Sequence, residues 1–272
     1  LDAPFFMGIV FGDGMVGVPY AQRLRFALKY AWRHALVSLS AAGLSAFFVF
    51  GLLYPSPYDA LLGVGSIFLL LLGVDAVCGP LLTLLLANPA KSLRERWVDF
   101  SLVGLVQVAA LLYGLHSLWV ARPVVLAFEV DRLVIVSANQ VQIETLMQAP
   151  AGLQSLPWWG VLQVGTRKAK TSDEFFHSVN LGLGGISPAM RPTWWQPWNS
   201  AQAGIQERAK PVAELLERRP QVAPVLQAAM TEAGLPVQQL RYLPLTSSKV
   251  KDWVALLNAE GQIVGHAPVD GF

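Results

Sequence analysis

Apolar positions in the first 120 residues fall in unbroken blocks, with neither a helical nor a strand period. Ala35 to Tyr54 is 20 residues without a charge, Ala60 to Ala87 is 28 with Asp75 as the exception, and Phe100 to Val120 is 21 with none. A helix of about 20 apolar residues crosses a hydrocarbon core of roughly 30 Å. Three transmembrane helices are therefore predicted, at about 35–54, 60–87 and 98–120. Trp32 with Tyr54, and Trp97 with Trp119, bracket the first and third of these at a spacing of 22 residues. That is about 33 Å of helix, which suits aromatic rings seated at both membrane interfaces. A 20-residue apolar block is long for a signal-peptide core, and two more spans follow, so an uncleaved anchor is expected.

After Arg122 the pattern changes. Pro123–Val130 and Leu133–Ser137 are β-branched and aromatic runs around Asp131-Arg132, which predicts a hairpin. Asn139 to Gln148 predicts a helix with Asn139 as its cap, Gly160 to Thr166 a strand, and Ser172-Asp173 a helix start. Ala201 to Ala233 reads as successive short helices with Pro211, Pro220 and Pro224 in their first turns, stopped at Gly234-Leu235-Pro236. Leu240–Leu245 is a strand, and Trp253–Leu257 and Gln262–His266 form a hairpin across Asn258–Gly261. The fold class expected is a membrane protein with three transmembrane α-helices followed by an α+β domain with an antiparallel sheet.

Charge sets the orientation. Arg23, Arg25, Lys29 and Arg33 precede the first span and Lys91, Arg94 and Arg96 lie between the second and third, while Pro55–Asp59 carries no basic residue. By the positive-inside rule the amino terminus and second loop are cytoplasmic and everything after Arg122 is outside. The expected organisation is a cytoplasmic segment 1–34, a membrane region 35–122 and an outer domain 123–272. A chain that opens on Leu1 is expected to start naturally at Met7 or Met15, or to carry upstream sequence. Over the whole chain 54% of residues are apolar and 14% charged, against roughly 25% charged in soluble domains. Residues 123–272 alone hold 12 basic and 12 acidic side chains, so the outer domain has its own aqueous composition. One cysteine excludes an intrachain disulfide, and a net charge of +2 argues against nucleic acid.

Motifs for catalysis are sparse. The four histidines are dispersed, and Glu174 with His177 supplies at most two ligands to a metal. The glycines of 181–185 lack the Lys-Ser/Thr of a phosphate loop, and Cys78 falls within a span. No catalytic residue, cofactor site or metal site is expected. Two features stand out. Asp75 sits in the middle of an apolar span, where a charge is costly, so it needs protein or water beside it. One reading has Asp75 protonated and bonded to Gln107 of the third span; the other has it contacting another protein's membrane helix. Small residues at Ser38, Ala42 and Ala46, and at Ala110 and Gly114, would let helices approach closely. The second feature is aromatic: Trp158-Trp159, then Arg191 followed by Trp194, Trp195 and Trp198. These either fill the core of the domain or form an exposed contact surface.

The order of these features resembles the type IV pilin accessory protein family (TfpX/TfpZ-like). Gly73-Val-Asp75-Ala-Val-Cys-Gly79-Pro80, Ala87-Asn-Pro89, Gln107 with Tyr113-Gly114, Phe128-Glu-Val-Asp-Arg132 and Asp252-Trp253 with Gly265 and Ala267-Pro268 carry the resemblance. It runs from about residue 30 to the end; the amino-terminal stretch and Cys78 depart from it. The resemblance implies a non-enzymatic inner-membrane protein of a Gram-negative bacterium, with a periplasmic carboxyl-terminal domain, that assists assembly or display of a type IV pilin. Its implied partners are the major pilin and the pilus assembly machinery. On this reading Asp75 and Gln107 face the pilin helix, and Trp158, Trp159, Arg191, Trp194, Trp195 and Trp198 face the pilin head. A membrane-anchored sensor and a pilin-modifying glycosyltransferase are the competing readings.

Overall fold

The computed structural model describes residues 19–272; residues 1–18, with Met7, Met15 and the first part of the 1–34 segment, lie outside the described residues. Three long helices come first: α1 (Tyr20–Phe48), continued by a π-helical turn at Val49–Leu53, then α3 (Val64–Leu86) and α4 (Leu93–Val120), with a single turn α2 (Tyr58–Leu61) between the first two. As spans they measure 34, 23 and 28 residues, and at most 17% of the most apolar stretch of any of them is buried. Side chains such as Leu69, Leu70, Leu105 and Leu112 are exposed, a pattern that suits a lipid solvent.

α1 starts at Tyr20, well before the uncharged block. Arg23, Arg25, Lys29 and Arg33 are good helix formers, so the charges that end an apolar run do not end a helix. Two compact units emerge: one from the described residues up to Ala46 together with Phe68–Leu115, the other Phe47–Ile67 with His116–Phe272. In the first, Tyr30 stacks on Phe100 at 5.3 Å and the Arg96 guanidinium lies 5.4 Å from the Phe26 ring. α4 opens on a reciprocal cap, the Glu95 N–H donating to the Ser92 hydroxyl while the Ser92 N–H donates to the Glu95 carboxylate.

The second unit carries a sheet in the order β4-β3-β1-β2-β6-β7-β8, with β5 on β6. Its strands are β1 (Pro123–Glu129), β2 (Arg132–Ser137), β3 (Leu162–Thr166), β4 (Trp195–Pro197), β5 (Lys210–Pro211), β6 (Arg241–Thr246), β7 (Trp253–Leu257) and β8 (Ile263–Ala267). The expected hairpins β1–β2 and β7–β8 are antiparallel, but β1 pairs β3 and β2 pairs β6 in parallel. The sheet is therefore mixed, a correction to the antiparallel sheet expected above. Those parallel partners are distant in sequence, where hairpin signals are silent.

Helices α5 (Ser172–Leu183), α6 (Trp198–Arg208), α7 (Val212–Arg218) and α8 (Ala223–Ala233) complete the unit. α7 and α8 bury Val212, Leu215 and Leu226 against Tyr242, Val254 and Leu256 of β6 and β7. α6 crosses β3 so closely that a Cβ at Gly165 would overlap the Ala201 methyl. Pro211 caps α7, Pro220 opens a 3-10 turn and Pro224 lies in the first turn of α8, as the spacing predicts. Residues 138–148 form two 3-10 turns, not the α-helix expected there. Ser137, rather than Asn139, makes the cap, in a reciprocal pair with Gln140.

The segment between α1 and α3 is more than a connection. Tyr54, Leu61, Leu62 and Val64 are buried, the Tyr54 hydroxyl donates to the Leu118 carbonyl at 2.8 Å, and the Ser247 hydroxyl donates to the Leu61 carbonyl at 2.5 Å.

Candidate functional site

Within the first unit a cavity of about 140 Å³ opens among the three long helices, lined by His34 and Ser38 of α1, Asp75 of α3, and Gly104, Gln107 and Val108 of α4. Its polar lining is built from an irregularity in α3. Pro80 lies inside that helix, and its ring deletes the N–H that would bond the Ala76 carbonyl four residues back. One residue earlier, Gln107 Nε2 donates to the Asp75 main-chain carbonyl at 2.9 Å. Gly79 makes room, because a Cβ there would overlap the Gln107 amide.

The expected pairing of Asp75 with Gln107 therefore takes place through the Asp75 backbone and not its carboxyl group. The glycine at position 79 lets the Gln107 amide lie against the α3 backbone, and the bond forms there. The Asp75 carboxyl is left half-buried at the cavity, and Gln107 Oε1 is buried without a donor. His34, whose Nδ1 lies 2.5 Å from Thr83 Oγ1, joins this polar set. Sequence reasoning passed over it as one of four dispersed histidines. The available signal was its spacing: residues 34, 38 and 42 share one helix face, and Ser38 and Ala42 also line the cavity. Gly114 admits Leu71 of α3 at a distance no side chain would tolerate, whereas Ala110 is exposed.

The tryptophans divide into two groups. Trp194 and Trp195 are buried, as is Arg191. Trp195 Nε1 donates to the Ala189 carbonyl at 2.8 Å, and the Trp194 ring lies between the guanidinium groups of Arg191 and Arg167, at 4.4 and 4.7 Å. Arg191 also reaches the Ser178 hydroxyl; burial lowers its pKa. These three residues are inside the domain, not on the partner-facing surface expected of them, because stacking on Arg satisfies both the charge and the ring without a partner. Trp198 is half-buried. Trp158 and Trp159 are exposed.

A groove of about 1260 Å³ runs beside α5, lined by Phe175, Phe176 and Val179, by Lys168 and Lys170, and by Val130. Glu174 near its rim is fully engaged: Arg167 donates to both carboxylate oxygens at 3.1 and 2.6 Å, and the Lys170 N–H donates at 2.5 Å. The Arg167 contact, with that N–H, holds its pKa down to about 2. Val130 forms the tip of the β1–β2 hairpin at φ 59, with the Asp131 N–H donating to the Glu129 carbonyl at 2.7 Å. A β-branched residue in such a tight turn stores about 1–3 kcal/mol of strain. Among the described residues no group of three or more His, Cys, Asp or Glu is placed to hold a metal ion.

Comparisons with known proteins agree on one theme. Residues 22–63, covering much of α1 and the buried connection after it, match the family described as fimbrial assembly protein FimB. The serogroup I fimbrial assembly protein of Dichelobacter nodosus is 33% identical over 252 residues, which is 92% of this chain and 98% of that protein. The serogroup E1 protein of the same organism is 32% identical over the same shares, and its serogroup C1 and C2 counterpart is 42% identical over 128 residues, 47% of this chain and 98% of that protein. No solved structure matches.

Proposed function

Because the chain belongs to the family of fimbrial assembly proteins, we propose that it is a non-catalytic inner-membrane accessory protein that binds a type IV pilin subunit and assists its assembly or display. The observation that carries this reading is a mostly apolar cavity among the three long helices that has Asp75, Gln107, His34 and Ser38 in its lining. Asp75 and Gln107 line it, and Gln107 Oε1 is buried without a donor; unsatisfied polar groups at membrane depth are costly unless something meets them. A client helix bearing a hydrogen-bonding group would meet them. The distribution of basic residues supports an amino terminus in the cytoplasm and a periplasmic outer domain. In that arrangement the client's head would be met by the groove at Phe175 and Phe176, beside the strained Val130 tip, in place of the buried Trp194 and Trp195.

The test is co-purification. Pilin should be retained by the solubilised wild-type protein and largely lost from Asp75→Ala at an unchanged membrane level. Equal retention by both would refute the proposed site.

A further inference from the structure

Trp158 and Trp159 are 71% and 55% exposed, and neither the fold nor the proposed pilin site explains them. They stand in a stretch without a charged residue between Glu144 and Arg167. Their rings do not point at random. Trp158 lies 5.6 Å and Trp159 6.0 Å from the ring of Trp119, in the last turn of the apolar helix α4, and Trp159 is 6.3 Å from Phe48 at the end of α1. Arg122 pins the arrangement: it donates to the carbonyls of Trp119 and Pro157 at 3.0 and 3.1 Å, and its guanidinium sits 4.0 Å from the Trp119 ring.

We infer that the Pro157–Trp159 loop is a membrane-surface anchor, with the two indoles seated in the headgroup region of the bilayer beside the ends of α1 and α4. Three properties identify lipid as the occupant. The exposed rings are continuous with Trp119, whose position at the end of a membrane-length helix is where interfacial aromatics lie. Indole combines a large apolar face with one N–H donor, which suits a region that is apolar on one side and wet on the other. The lack of charge in the loop removes the desolvation penalty that a Lys- or Glu-bearing loop would incur on entering that region. The loop thus adds a lateral contact to the covalent tether at Arg122.

The proposal is tested on full-length protein carrying 5-fluorotryptophan, in nanodiscs of phosphatidylcholine and phosphatidylglycerol. Trp158→Phe and Trp159→Phe identify the two fluorine resonances. A gadolinium chelate attached to lipid headgroups should broaden both signals several-fold more than the Trp198 signal, and a water-soluble chelate should broaden them less than it broadens Trp198. The same ratio of the two effects at all three positions would overturn the proposal. So would signals that neither agent broadens, which would show a loop packed against protein.

Discussion

The side-chain amide of Gln107 donates to the main-chain carbonyl of Asp75 at 2.9 Å, across two apolar helices. This bond explains why glycine and glutamine occur where they do: Gln107 supplies a donor to the α3 backbone, and the absence of a Cβ at Gly79 leaves space for that donor. It also leaves the Asp75 carboxyl available to a partner.

That geometry predicts a coupling. Gly79→Ala should destabilise the bundle by about 1–3 kcal/mol, the usual cost of overpacking, and most of the cost should vanish in a Gln107→Ala background. A double-mutant cycle on unfolding in mixed micelles measures it. Additive effects would contradict the arrangement.

Burial separates the two tryptophan groups energetically. Trp195→Ala should cost about 3–5 kcal/mol, and Trp195→Phe about 1–3 kcal/mol, because the Ala189 carbonyl loses its donor. Trp158→Ala should change stability far less. Chemical denaturation of the three variants decides the matter.

Val130 offers a test of stored strain. Glycine adopts φ 59 freely, so Val130→Gly should stabilise the second unit by about 1 kcal/mol. If the exposed tip also contacts a client, the same variant should fold better and support fewer pili. A variant that is no more stable would show that the turn is unstrained.

Acid should weaken the second unit in two stages. Burial lowers the pKa of His266 to about 4 from 6.5, so the unfolded chain takes up its proton first as pH falls. The stability associated with neutral His266 is complete above pH 6.5 and is lost between 6.5 and about 4, at no more than about 1.4 kcal/mol per pH unit. Glu174, lowered from 4.5 to about 2, adds a loss below pH 4.5. His266→Gln should flatten the first stage and spare the second, as read by urea unfolding across that range.

Much of this was legible in advance, and the failures have physical causes. Uncharged blocks locate helices in lipid, yet they misplace the start of α1, because Arg and Lys continue a helix that lipid cannot hold. Turn residues located both hairpins, while the parallel pairing of β2 with β6 rests on side-chain packing between segments more than a hundred residues apart. Asp75 and Gln107 were identified as a pair from depth alone, but the atoms that meet depend on the space left at Gly79. Arg beside Trp suggested an interface; Arg191 and Arg167 instead close over Trp194 within the domain. Residues 138–148 carried helical spacing without the length to sustain a helix, and settled into 3-10 turns.

The most direct test places a photoreactive amino acid at Val108, which is exposed and lines the Asp75 cavity, in cells that are assembling pili. Illumination should give an adduct with the mass of this chain plus one pilin, weakened by Asp75→Ala and absent when the probe is at Leu85, an exposed position of α3 away from the cavity. No pilin adduct at Val108, or equal adducts at both positions, would contradict the proposal that this cavity receives the pilin helix.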